Sequence, residues 1–114
     1  MFDFEKLKVY QKAKEARKLL FALLANSHHV DKALFDQLKR AALSIVLNIA
    51  EGTGKSSSAD KKNFFTIARG STYEVVAIID LLSDDKVINE LQQKELYAVF
   101  EEISKMLLGL INSI

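Results

Sequence analysis

The chain has 114 residues, 49% hydrophobic and 27% charged, with a net charge of +1 and neither proline nor cysteine. That length points to a single domain over 1–114, able to bury about two-thirds of its unfolded surface. The absence of cysteine excludes disulfides, thiolate metal sites and a thiol nucleophile. No apolar run approaches the roughly 20 residues of a membrane span.

The first helix is expected from about Glu5 to Ala25, with Asp3 as its N-cap. Leu7, Tyr10, Ala13, Ala16, Leu20 and Leu23/Leu24 recur at three- and four-residue steps and mark one face. The opening MFDFEKLKVY is too charged for a signal peptide, so a cytoplasmic protein without membrane contact is expected. NSHHVDKA (26–33) breaks the period. His28 and His29 there are adjacent loop residues without cysteines or paired carboxylates nearby, which suits solvent better than a metal.

The second helix runs from near Asp31 to about Glu51 on a stripe of Leu34, Leu38, Ala41/Ala42, Ile45 and Ile49, and Gly52 is expected to stop it. Ser57 with Asp60 three residues on has the spacing of a capping box and opens the third helix, to about Leu82. SDDKVIN (83–89) turns the chain, and Asn89 with Gln92 repeats the capping-box spacing at the head of the fourth helix. Four such helices on short loops predict an all-α fold, an antiparallel up-down-up-down four-helix bundle.

EGTGKSSS (51–58) ends like a phosphate-binding loop, but that motif requires a glycine six residues before Lys55, where Ile49 stands, and a strand upstream rather than a helix. Gly52, Gly54 and Ser57 likewise fail a G-x-G-x-x-G fingerprint. The stretch is read as a turn. A modest anion site remains conceivable at the third helix's N-terminus, beside Lys55, Lys61 and Lys62.

Ser44, Asn48, Glu51, Arg69, Ser71 and Glu74 place polar groups inside otherwise apolar helices. Antiparallel packing brings them into one partly buried network, with Arg40 expected near Ser71 and Glu74. No histidine, nucleophile–base pair or metal spacing accompanies them, so they are read as fixing register rather than performing catalysis. The third helix and the closing MLLGLINSI are apolar over more than one face, which predicts a homo-oligomer built through them.

FEKLKVYQKA (4–13), LKRAALSIVLNIAEG (38–52), FFTIARGSTYEV (64–75) and EISKMLLGLI (102–111) together resemble the four-helix-bundle proteins encoded in 23S rRNA intervening sequences. The resemblance covers essentially the whole chain. It implies a compact four-helix bundle assembled into a ring-shaped pentamer, and it extends to the accessory variability protein of diversity-generating retroelements, a basic nucleic-acid-binding partner of a reverse transcriptase. Asn48, Glu51, Gly52, Arg69, Gly70, Ser71 and Glu74 occupy the motif positions. The resemblance implies no catalytic role for them.

Charge is unevenly distributed: residues 1–72 hold 13 Lys/Arg against 7 Asp/Glu, and residues 73–114 hold 3 against 8. Either a basic surface faces a polyanion, or two oppositely charged surfaces meet in an oligomer, or neighbouring antiparallel helices neutralise one another. The first reading makes the protein a non-enzymatic oligomeric bundle holding structured RNA or DNA. Its candidate contacts are Lys39, Arg40, Lys55, Lys61, Lys62 and Arg69, with Lys8, Lys12 and Arg17 as a second set. The alternative is a scaffold for a protein partner with no nucleic-acid role. No cofactor or metal is expected in either.

Overall fold

Long proline-free stretches of helix formers leave only the short polar segments as places for the chain to reverse. The computed structural model, which describes residues 1–27 and 29–114, follows that division. Among the described residues a 3-10 turn, Asp3–Lys6, precedes four α-helices: α1 (Lys8–Leu24), α2 (Lys32–Thr53), α3 (Ser58–Asp84) and α4 (Glu90–Ser113). The assembly measures 44 × 22 × 20 Å.

The helices are antiparallel to their neighbours. Ser44 meets Ser71 and Gln37 meets Glu74, so moving back along α2 moves forward along α3. Ser83 with Gln93 and Arg69 with the Ser104 carbonyl give the same relation for α3 and α4. α1 closes the bundle by packing on both α2 and α4. The all-α, up-down-up-down expectation describes this structure.

One apolar stripe per helix builds the core. Val9, Ala13, Ala16, Leu20 and Leu24 are α1's contribution, and Leu38, Ala41, Ala42, Ile45, Val46 and Ile49 are α2's. They join Val75, Ile79, Leu82, Leu96, Phe100, Ile103 and Leu107 in one continuous cluster. Burying each large member contributes about 1.5–3 kcal/mol over leaving it in water.

Three local expectations are corrected. Asp3 does not cap α1; it begins the 3-10 turn, and Leu7 occupies the N-cap. Gly52 does not stop α2, which continues to Thr53 with Gly54 as C-cap. Gly52 is instead buried inside the helix, where a Cβ would lie 2.7 Å from Cε1 of Phe65 and 3.2 Å from Cβ of Phe64. It allows the start of α3 to approach the end of α2 closely. The third helix also extends past Leu82 to Asp84. There Lys86, at φ 61°, takes the left-handed position usually held by glycine, and Val87 N–H donates to the Leu82 carbonyl at 2.9 Å in a Schellman closure.

The other caps agree with the sequence. The Ser57 hydroxyl accepts the Asp60 N–H, one half of the capping box expected there, and Asn89 and Gln92 exchange both bonds of a full one. His28 lies outside the described residues, and His29 is exposed.

Candidate nucleic-acid interface

Helix composition separates the charge in space. α1 carries Lys8, Lys12, Lys14, Arg17 and Lys18 against Glu15, whereas α4 carries Lys94 and Lys105 against Glu90, Glu95, Glu101 and Glu102. Among the described residues one ion pair links helices, Lys12 to Glu102 at 2.7 Å. The other two, Lys32–Asp36 and Lys105–Glu101, lie within single helices. Neighbouring helices therefore leave most of α1's charge unneutralised. Asp36 is held below the usual carboxylate range, chiefly by the hydrogen bond from Lys32, with Lys39 and Arg40 adding to the field.

The six sequence candidates fall in three separate places. Lys39 and Arg40 sit mid-way along α2, both exposed. Lys55, Lys61 and Lys62 lie at the α2–α3 turn, about 20 Å further along the helix axis. Lys55 Nζ rests 4.9 Å from the Phe64 ring centroid, and Lys61 Nζ donates to the Thr53 carbonyl at 3.0 Å, satisfying the end of α2. Arg69 belongs to a third site: its Nε donates to the Ser104 carbonyl at 3.3 Å and its Nη2 to the Tyr73 hydroxyl at 3.2 Å. That geometry joins α3 to α4.

Lys39 has closer company across the bundle. Its ammonium lies 5.7 Å from the ring of Phe35, which meets Phe21 of α1 edge-on at 6.0 Å, and the Arg17 guanidinium lies 5.3 Å from that second ring. Lys14 lies 5.2 Å from Tyr10 on the same helix. The α1/α2 groove thus collects cations that the sequence distributes over two segments.

The family-motif residues divide similarly. The Ser44 and Ser71 hydroxyls bond at 2.7 Å, and Asn48 donates to both the Ser44 carbonyl and its hydroxyl. Glu74 accepts from Gln37 at 2.6 Å. Glu51 and Gly70 are exposed, and Gly52 and Arg69 serve the contacts described above. Serines and an asparagine that bond one another lock the α2–α3 register. Among the described residues no general base is hydrogen-bonded to them.

The sequence model of the family described as 23S rRNA-intervening sequence protein matches residues 5–109. The chain belongs to this family. A crystal structure of a protein with unknown function from the S23 ribosomal protein family of Bacteroides thetaiotaomicron is similar at 28% identity and a TM-score of 0.81, covering 90% of this chain and 97% of that one. No curated protein matches.

Leu43 and Leu47 of α2, Ile67, Tyr73 and Leu81 of α3, and Tyr97 and Leu108 of α4 stay 39–59% exposed. The Ser44–Ser71 register puts Leu47 and Ile67 at one level, while Tyr73 and Tyr97 border an open cleft between α3 and α4. A Cβ at Gly70 or Gly109 would meet nothing within 4 Å, so the bundle itself has no packing need for either glycine. Sequence reasoning missed Gln37, Lys14 and the Phe21–Phe35 contact. The readable signal was the four-residue spacing of cation and aromatic ring in Tyr10/Lys14, Arg17/Phe21 and Phe35/Lys39.

Proposed function

We propose that the protein is a non-catalytic helical bundle that self-associates in the cytoplasm and holds structured RNA or DNA by its basic side. The segregation of charge carries this reading: α1 has five cations against one carboxylate, and among the described residues a single ion pair connects it to acidic α4. Such a surface attracts a polyanion and releases its counterions on contact. Self-association is supported by the exposed leucines, isoleucine and tyrosines of α2, α3 and α4, a face that water covers poorly. The family resemblance implies five copies. The non-catalytic part rests on the polar residues inside the bundle, which are spent on one another and on backbone carbonyls.

A second reading, a scaffold for a protein partner without a nucleic-acid role, is favoured by Tyr73, Tyr97 and Leu108 along α3 and α4. The two separate in one experiment. Nuclease-treated protein passed over immobilised structured RNA or duplex DNA is retained at low salt and released as salt rises under the first reading. Failure to be retained, with one protein partner surviving nuclease in a pull-down, establishes the second. Sedimentation reports the number of copies in either case.

A further inference from the structure

We propose that the groove between α1 and α2 is a preorganised phosphate clamp that grips a nucleic-acid duplex by its backbone. It rests on the nucleic-acid reading above and adds the face, the mode of contact and the ligand class. The row Arg17, Phe21, Phe35, Lys39 carries the argument. The two rings meet edge-on at 6.0 Å across the helix pair, and each carries a cation of its own helix. Two positive charges from different helices are thereby held over one groove. Lys14 on the Tyr10 ring continues the row along α1, and exposed Lys18 and Arg40 flank it.

None of these five cations has an ion-pair partner among the described residues. Of the carboxylates nearest in sequence, Asp36 is bonded by Lys32 though it shares the field of Lys39 and Arg40, and Glu15 borders the α1/α4 cleft with Lys12, Leu19 and Val99. On α1 the cations span about 6 Å of helix rise, and Lys39 meets them from α2 through the Phe35–Phe21 contact. The turn lysines make a weaker clamp, because Lys61 is committed to the Thr53 carbonyl.

The rings decide the ligand class. Phe21 and Phe35 are half-buried, meet each other edge-on and each carry a cation, which leaves little ring surface for a base to stack on. The groove presents fixed charge and no base-reading group. A long cationic side chain loses rotamer freedom when it grips a phosphate, and one already resting on a ring loses less. A duplex, with its regular array of phosphates, is the matching partner, and contact is independent of sequence.

The test titrates the full-length, nuclease-treated protein with RNA and DNA duplexes at several salt concentrations. Lys14→Gln, Arg17→Gln and Lys39→Gln together are expected to weaken binding at least about tenfold near 0.1 M salt. They should also make the slope of log K against log salt shallower by about two to three, at roughly 0.9 per lost contact. Phe21→Leu with Phe35→Leu keeps every charge but frees the cations. Affinity should fall about two- to five-fold per lost stack with the slope unchanged. Lys55→Gln, Lys61→Gln and Lys62→Gln together should leave both within about twofold of the parent. The charge variants alter exposed side chains, so they decide the matter even where the leucine variant does not fold.

Loss of binding in the turn variant, with the groove variant intact, overturns the clamp and leaves the nucleic-acid reading standing. Absence of duplex binding by the parent at low salt overturns both. A groove variant with unchanged duplex affinity but broken self-association makes this face a contact between copies and overturns the clamp.

Discussion

Replacing Gly52 by alanine sets two effects of opposite sign against each other. In a helix interior alanine is favoured over glycine by about 0.8–1 kcal/mol. The added methyl, however, lies 2.7 Å from Cε1 and 2.9 Å from Cδ1 of Phe65, and 3.2 Å from Cβ of Phe64. Phe65 is 3% exposed, so its ring has no free space to swing into. Overpacking a well-filled site costs about 1–3 kcal/mol, and a contact this short belongs near the top of that range. The net expectation is a loss of about 2 kcal/mol, which lowers Tm by about 8 °C for a domain of this size. Thermal unfolding followed by far-ultraviolet circular dichroism, with Gly109→Ala as comparison, measures it. At Gly109 the methyl meets nothing, so propensity alone acts and Tm should rise. If Gly52→Ala raised Tm as well, the close-approach account of this glycine would be wrong.

Three further expectations follow from single features. The 2.7 Å bond between Ser44 and Ser71 should appear in a double-mutant cycle to alanine as a coupling of about 1 kcal/mol; additive single effects would remove it as a register lock. Lys86→Gly relieves a left-handed backbone at φ 61° and should stabilise the fold by about 1 kcal/mol in denaturant unfolding, whereas a loss would show that the lysine side chain contributes more than the strain. Asp36, with its folded pKa lowered mainly by the Lys32 hydrogen bond, adds stability above its unfolded pKa that disappears as pH falls through its folded pKa. Any difference in Tm between the parent and Lys32→Met should therefore be small, present near neutrality and closed in acid; a gap that widens in acid contradicts the assignment.

The core was readable because its signal is local. Leu38, Ala41, Ala42, Ile45 and Ile49 repeat at helical spacing, and all are at most 3% exposed. Asn89 and Gln92 were readable for the same reason, since both halves of a capping box lie within one turn. Gly52 was misread because glycine near a helix end serves either to turn the backbone or to admit a neighbour, and only the position of Phe65 distinguishes them. Arg69 was read both as part of the α2–α3 polar network and as a cation for nucleic acid, because its actual partner carbonyl, on Ser104 of α4, is 35 residues away. The α1/α2 groove was half visible. Each cation–ring pair is local, but the Phe21–Phe35 contact that unites them exists only once the helices are paired in register.

Whether the exposed positive charge holds nucleic acid is decided by the salt dependence of duplex affinity in the nuclease-treated parent protein. The five groove cations predict that log K falls with log salt at a slope between about −2 and −5 per protomer. A flat salt dependence, or no binding at low ionic strength, would contradict the claim and leave the bundle as a scaffold for protein partners.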